Sequence, residues 1–240
     1  MSRKQLLLAH RGYMAIAPEN TPLSFELAKL FGFDGVELDV HLTKDQKLVI
    51  IHDESTNRTA LNDKVIANET LNSLKKDDHG LFFKVKVPRQ TILTLEEFLD
   101  KYLDVFEIIN VEIKSDVYHY PNIENKIFEL SLKYGQKLID KVIFSSFNFE
   151  TLKIMKKLNP NFKLAFLFWT KTQLEKVSKN QIFEVCDFLN PWTELYEKIK
   201  DELDKFNLPY LLWTIRSNDK YQKFLKDKKV YAQISNYKWK

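Results

Sequence analysis

A rhythm runs through this chain: short, almost wholly apolar runs alternate with segments whose apolar residues recur at helical spacing. Nine runs read as strands: QLLLAH (5–10), DGVELDV (34–40), KLVIIHD (47–53), IINVEIK (108–114), KVIFSSF (141–147), KLAFLFW (163–169), VCDFLNP (185–191), LLWTI (211–215) and YAQIS (231–235). Strands that are apolar on both faces need cover on both sides, and their alternation with helices indicates a parallel sheet. At 240 residues the chain fits one α/β barrel at least as well as two smaller domains. Nine candidates exceed an eight-stranded barrel by one, so one of them is expected to be peripheral.

The helices carry their own punctuation. Thr21-Pro22 places an N-cap before a proline at the first helical position; Leu23, Leu27 and Leu30 follow at helical spacing, and Gly32 supplies a stop. Ile123, Ile127, Leu130 and Tyr134 mark one face before Gly135, and Leu195, Ile199, Leu203 and Phe206 mark another. These stripes are expected to pack into the core. Residues 54–94 break the rhythm: they are polar and charged, with only the helical piece TLNSLKK inside. A lobe inserted over one end of the barrel explains the segment better than a structureless loop of that length.

The formal net charge is +4, spread along the chain without the clustered basic stripe that would support nucleic-acid binding. It leaves room for a weak attraction to phosphorylated ligands or anionic lipid surfaces. Only five of the 37 basic residues are Arg, which makes each one conspicuous, since Arg offers a planar two-pronged fork for phosphate that the default Lys cannot match. The single Cys186 excludes an intramolecular disulfide and suits a reducing compartment; in VCDFLN it reads as a small core residue. The apolar run in MSRKQLLLAH is too short for a signal peptide, and no stretch approaches a membrane span. A soluble cytoplasmic protein is expected.

Polar groups cluster where strand candidates end, which is where α/β barrels carry their active sites. QLLLAH ends in His10-Arg11-Gly12, followed by Pro18-Glu19-Asn20-Thr21. Histidine supplies an acid or base near neutral pH, and arginine a phosphate clamp. Glu37 and Asp39 lie at i and i+2, so both carboxylates face the same way while Leu38 turns into packing. Two carboxylates on an apolar strand repel unless a cation lies between them; an edge strand with a solvated face is the other reading. Their hard oxygens suit Mg²⁺, Ca²⁺ or Mn²⁺. Leu48–Ile51 ends in His52-Asp53, like a barrel strand presenting a catalytic pair. Glu112-Ile113-Lys114 adds a third carboxylate and a cation at i and i+2, serving either a metal and phosphate site or an internal ion pair. Trp213 ends a further strand as an aromatic wall or a core residue.

Taken in order, HRGYMAIAPENT, VELDVHLTKDQKLVIIHD, NVEIK, FSSFN and LLWTI resemble the glycerophosphodiester phosphodiesterases. TLNSL and TILTLEEFL resemble the segment closing that family's insertion. The resemblance runs from about residue 6 to 215 and is strongest across 8–115. It implies a (β/α)₈ TIM barrel with a small inserted lobe, and cleavage of deacylated phospholipids into sn-glycerol 3-phosphate and an alcohol. Carried over by position, His10 and His52 match the acid/base pair, and Glu37, Asp39 and Glu112 match the ligands of one divalent cation, Mg²⁺ first. Arg11 and Lys114 match the phosphate contacts, and Trp213 the substrate-facing aromatic. Two features depart from the pattern. The Gly-rich run after Arg58-Thr59 is missing, and YAQISNYKWK carries Asn236 where an Asp often stands. A related barrel phospholipase acting on intact lipid, or a silent phosphodiester-binding paralogue, are the rival readings.

Overall fold

The structure, a computed structural model, describes residues 4–239. The first three residues of MSRKQLLLAH and the last of YAQISNYKWK therefore lie outside the described residues. Eight parallel strands form the barrel: β1 (Leu6–Ala9), β2 (Gly35–Leu42), β4 (Ile108–Ile113), β5 (Val142–Ser146), β6 (Lys163–Phe168), β7 (Phe188–Pro191), β8 (Tyr210–Ile215) and β9 (Val230–Ser235). The ring closes because β1 pairs with both β9 and β2. The ninth strand, β3 (Leu48–Ile50), runs antiparallel to the far end of β2, pairing Val40 with Ile50 and Leu42 with Leu48.

The peripheral strand is thus KLVIIHD, and His52 does not end a barrel strand. Residues 43–47 are too few for a parallel crossover, which takes a dozen or more residues, so they can only close a hairpin. Gln46 adopts φ 61, and Thr43 Oγ1 accepts from Lys47 N at 2.9 Å to tie the turn. The β2–β3 hairpin then carries His52 back over the barrel mouth.

Around the barrel stand α1 (Pro22–Leu30), α3 (Leu95–Tyr102), α4 (Ile123–Tyr134), α5 (Gln136–Lys141), α6 (Phe149–Leu158), α7 (Lys171–Glu175), α8 (Lys179–Val185), α9 (Thr193–Leu203) and α10 (Asn218–Leu225), with α2 (Leu71–Leu74) in the inserted segment. Thr21 and Thr94 close capping boxes on α1 and α3 with Ser24 and Glu97. The buried face of α1 is Ser24, Phe25 and Ala28, while Leu30 is 76% exposed, so the Leu23–Leu27–Leu30 stripe is not the core face. Phe25 sits fully buried against Phe98 at 4.7 Å and turns the helix to bury the larger side chain. On α4 and α9 the anticipated stripes do pack inward, led by the buried Ile123, Ile127, Leu195 and Leu203.

Two apolar layers follow from the period of two along each strand. Val36, Leu38, Val40, Val111 and Phe144 point outward into the helices. Leu6, Leu8, Ile108, Ile143, Ala165, Phe188 and Leu211 point into the barrel and fill its lower part. Higher on the same inward faces the residues become polar: Glu37, Asp39, Asn110, Glu112, Ser145 and Asn190, all buried. The barrel is therefore a dry plug with a charged upper layer. Residues 54–94 lie outside the ring, where Ile66, Leu74 and Ile92 pack under Val49 and Ile51. Lys64 and Asp77, 2.7 Å apart, brace that segment. Cys186 is buried and unpaired, as a core residue should be.

Gly35 sits tight against its β4 partner, since a Cβ there would lie 2.0 Å from the Ile108 carbonyl oxygen. Backbone cannot yield as a flexible side chain can, so Gly35→Ala should lower stability by about 2–3 kcal/mol. A urea midpoint equal to wild type would show that the barrel wall is looser than described.

Candidate active site

Beyond β1 the chain turns sharply, with Arg11 at φ 52 and Gly12 at φ 72. A Cβ on Gly12 would meet Ser24 Oγ at 2.2 Å, so this left-handed step against α1 requires glycine. The turn sets His10 over the barrel and aims the Arg11 backbone N–H at Glu37 Oε2, 2.9 Å away. Asp39 and Glu112 are direct partners in the β2–β4 register, which brings their inward carboxylates together. With Glu37 they offer three carboxylate oxygens that all lie within 4.8 Å of one another, each residue buried.

Cations surround this trio. Arg11 Nε lies 3.6 Å from Asp39 Oδ2, and Lys114 Nζ lies 2.8 Å from Glu112 Oε1 and 3.9 Å from Asp39 Oδ1. Asn20 Nδ2 donates to Asp39 Oδ2 at 2.9 Å. Burial pushes the Asp39 carboxyl up, but His52, Arg11, Lys114 and Asn20 outweigh it and hold the group well below the usual range. For Glu37 burial wins, reinforced by the charges of Asp39 and Glu112, and its carboxyl is raised well above the usual range. Burial likewise raises Glu112, with Lys114 opposing. Burial lowers Lys114, yet the Glu112 and Asp39 charges reverse that and raise it.

The two histidines are held differently. His10 Nδ1 meets Asn236 Oδ1 at 2.6 Å, and its Nε2 lies 3.9 Å from Glu37 Oε2. Because the amide oxygen can only accept, Nδ1 carries the hydrogen and Nε2 is left to face the site. Burial, with Arg11 beside it, pushes the His10 pKa down to about 3. His52 Nδ1 meets Asp53 Oδ1 at 2.6 Å, so a carboxylate takes the hydrogen there. The departure at Asn236 thus lies directly behind His10.

Several residues at this mouth lie within or beside the quoted runs without being marked out by them: His41 in VELDVHL, Phe147 in FSSFN and Trp169 at the end of KLAFLFW. His41 follows Glu37 and Asp39 at i+2 steps along β2; its Nδ1 meets Tyr120 Oη at 2.7 Å and its Nε2 the His52 carbonyl at 3.1 Å. Burial pushes its pKa down to about 4, so a neutral ring props the His52 backbone. The alternation Glu37, Asp39, His41 is the one signal that points to it. Phe147 packs against Trp213 at 5.7 Å and Trp169 at 5.9 Å, making an aromatic arc over the other half of the mouth. Trp213 Nε1 donates to the Asn190 carbonyl at 2.9 Å, which fixes the indole in place.

The donor set suits a divalent cation. Buried Asp39 Oδ1 has no hydrogen-bond partner, and all three acidic groups offer the hard oxygen that Mg²⁺, Ca²⁺ and Mn²⁺ prefer. Counting the groups joined by ion pairs here, the carboxylates Glu19, Glu37, Asp39, Asp53 and Glu112 face only Arg11, Arg58 and Lys114. The permanent cations are thus outnumbered by the carboxylates they face. A cavity of about 20 Å³ beside Glu37, Asn110 and Glu112 has room for one water-sized group.

Fold and site together define a (β/α)₈-barrel enzyme whose polar groups converge at the C-terminal mouth. The profile of the glycerophosphoryl diester phosphodiesterase family matches residues 10–237, and the chain belongs to that family. It is 57% identical over 239 residues to an uncharacterized protein of Mycoplasma genitalium, spanning 100% of this chain and 98% of that one. A glycerophosphodiester phosphodiesterase of Caldanaerobacter subterraneus subsp. tengcongensis is 41% identical over 165 residues, which is 69% of this chain and 67% of that protein. Among solved structures, an Oleispira antarctica phosphodiesterase in complex with the product sn-glycerol-3-phosphate superposes with a TM-score of 0.76 at 26% identity, covering 97% of this chain and 93% of that one.

Three crowded carboxylates should make the fold responsive to a divalent cation. Mg²⁺ or Mn²⁺ at about 100 times its Kd should add about 2.7 kcal/mol to the stability of chelator-treated protein. Differential scanning calorimetry reads this directly. The gain should vanish in Glu112→Gln, which keeps shape and removes charge; a wild-type Tm indifferent to cations would speak against the site.

Proposed function

We propose that this protein hydrolyses glycerophosphodiesters, deacylated phospholipids such as glycerophosphocholine, to sn-glycerol 3-phosphate and an alcohol. The observation that carries the reading is the meeting of Glu37, Asp39 and Glu112 with His10, His52, Arg11 and Lys114 at one barrel mouth. Family membership and the product bound by the Oleispira antarctica relative support it. Glu37, Asp39 and Glu112 are the proposed ligands of one divalent cation, Mg²⁺ first, with Ca²⁺ and Mn²⁺ as alternatives. When bound, such an ion supplies Lewis-acid polarisation of a phosphate oxygen and offsets charge in the transition state.

The protein's own groups do the rest. Arg11 Nε is buried without a hydrogen-bond partner, and together with Lys114 it offers N–H groups to the non-bridging phosphate oxygens. His10, neutral with Nδ1–H held on Asn236, presents an unprotonated Nε2 and accepts the proton of the nucleophile. His52, backed by the Asp53 carboxylate that stabilises an imidazolium, gives a proton to the leaving alkoxide. That donation matters because an alkoxide leaves poorly at neutral pH. Trp213, with Phe147 and Trp169, faces the alcohol and favours a quaternary ammonium by about 0.5–2 kcal/mol. No helix among the described residues is long and apolar enough to cross a membrane. The proposed setting is the cytoplasm, where a small soluble diester reaches the mouth directly.

Purified protein should release glycerol 3-phosphate from glycerophosphocholine, lose that activity in EDTA and regain it with Mg²⁺, Mn²⁺ or Ca²⁺. Phosphocholine as product would mean that the other ester bond is cut, and full turnover in chelator would remove the cation from the reaction. His10→Ala and His52→Ala should each cost about 10²–10⁴-fold in kcat/KM. Trp213→Leu should erase a preference for the choline over the ethanolamine diester; an unchanged ratio would leave Trp213 a packing residue.

A further inference from the structure

One cation of the inserted segment has no part in the mechanism above. Arg58 follows the β2–β3 hairpin, and its guanidinium makes three hydrogen bonds. Nε donates to Asp53 Oδ2 at 2.6 Å, while Nη1 and Nη2 grip Glu19 Oε2 and Oε1 at 2.7 and 2.6 Å. Glu19 Oε1 also accepts from Arg11 Nη1 at 3.0 Å, and Asp53 Oδ1 takes the His52 Nδ1 hydrogen at 2.6 Å. The line Arg11–Glu19–Arg58–Asp53–His52 is unbroken. It joins the loop after β1 to the hairpin, and Arg58 is its keystone.

We propose that Arg58 is a positioning residue: through Glu19 and Asp53 it fixes the direction of Arg11 and the tautomer of His52, making the inserted segment part of the catalytic apparatus. The inference deepens the phosphodiesterase reading and rests on it. Glu19 is shared between two guanidinium groups. Without Arg58 its free oxygen would draw a second N–H of Arg11 and turn that fork away from the phosphate. Asp53 serves His52 with one oxygen and Arg58 with the other; released, it can rotate and leave His52 Nδ1 without its acceptor. The ring then has no reason to keep its hydrogen on Nδ1. A lysine cannot replace this fork, because one ammonium cannot make three coplanar bonds to two carboxylates.

Arg58 is 45% exposed at its side chain, and ion pairs so placed contribute little to stability. Arg58→Ala should therefore stay folded, with a Tm near that of wild type. The decisive test pairs two readouts. Long-range ¹H–¹⁵N spectra at alkaline pH should show wild-type His52 in one Nδ1–H tautomer and Arg58→Ala in a mixture of two; this needs no turnover. With glycerophosphocholine, kcat should fall about 10–100-fold, and KM should rise as well, because the displaced Arg11 loses its contact to the phosphate. Arg58→Lys should not rescue kcat, whereas added guanidinium ion should restore part of it in Arg58→Ala. A single His52 tautomer in Arg58→Ala overturns the proposal whatever the rates, as does an unchanged kcat or full rescue by lysine. Failure of the wild-type protein to cleave the diester would refute the phosphodiesterase reading alone, and the tautomer spectra would still decide this one.

Discussion

Three carboxylates buried within 4.8 Å of one another, on top of a plug of Leu, Ile, Phe and Ala, set the terms for the rest of this molecule. Water cannot reach beneath them to relieve the repulsion, and an uncompensated buried charge costs several kcal/mol. Charge must therefore come from the protein or from a bound cation. Arg11 and Lys114 are held against the cluster and Asn20 adds a hydrogen bond, yet the Glu37 and Glu112 carboxyls stay raised, so the repulsion is not fully offset. The proposed phosphodiester would enter the same field as an anion, met by the Arg11 and Lys114 N–H groups. In the proposed reading, the repulsion built into the cluster is what draws a cation and a phosphate to the mouth together.

The fold provides this arrangement through register. Glu37 and Asp39 share the inward face of β2, and the β2–β4 pairing sets Glu112 beside Asp39. The left-handed turn at Arg11-Gly12 brings His10 in from one side, and the β2–β3 hairpin returns His52 from the other. His41, itself held by Tyr120, ties down that return through the His52 carbonyl. Opposite the charged half, Phe147, Trp169 and Trp213 form an apolar arc. The proposed substrate, a charged diester with a variable alcohol, would meet two surfaces of matching character.

Much of this is legible in the sequence, for identifiable reasons. Strand alternation is a local signal, so the barrel and the shared face of Glu37 and Asp39 follow from the period of two. Which of the nine runs is peripheral is not legible: KLVIIHD carries as strong an apolar pattern as the barrel strands, and only the observed end of β2 at Leu42 leaves a link to Leu48 too short for a crossover. The Leu23–Leu27–Leu30 stripe misleads because spacing alone does not weigh the larger Phe25 on the adjacent face. Glu19, Arg58 and Asn236 give no periodic signal, because their partners lie 39 residues away for Glu19–Arg58 and 226 residues away for His10–Asn236. Only the closed ring and the packed insert bring them together.

Hydrolysis of glycerophosphocholine in H₂¹⁸O, with both products read by mass spectrometry, tests the proposed reaction most directly. Water oxygen ends on phosphorus whether water attacks first or opens a cyclic phosphate. One ¹⁸O should therefore appear in the phosphate of sn-glycerol 3-phosphate and none in choline. Label in the choline hydroxyl, or label in phosphocholine released with free glycerol, would contradict the reaction proposed for this site.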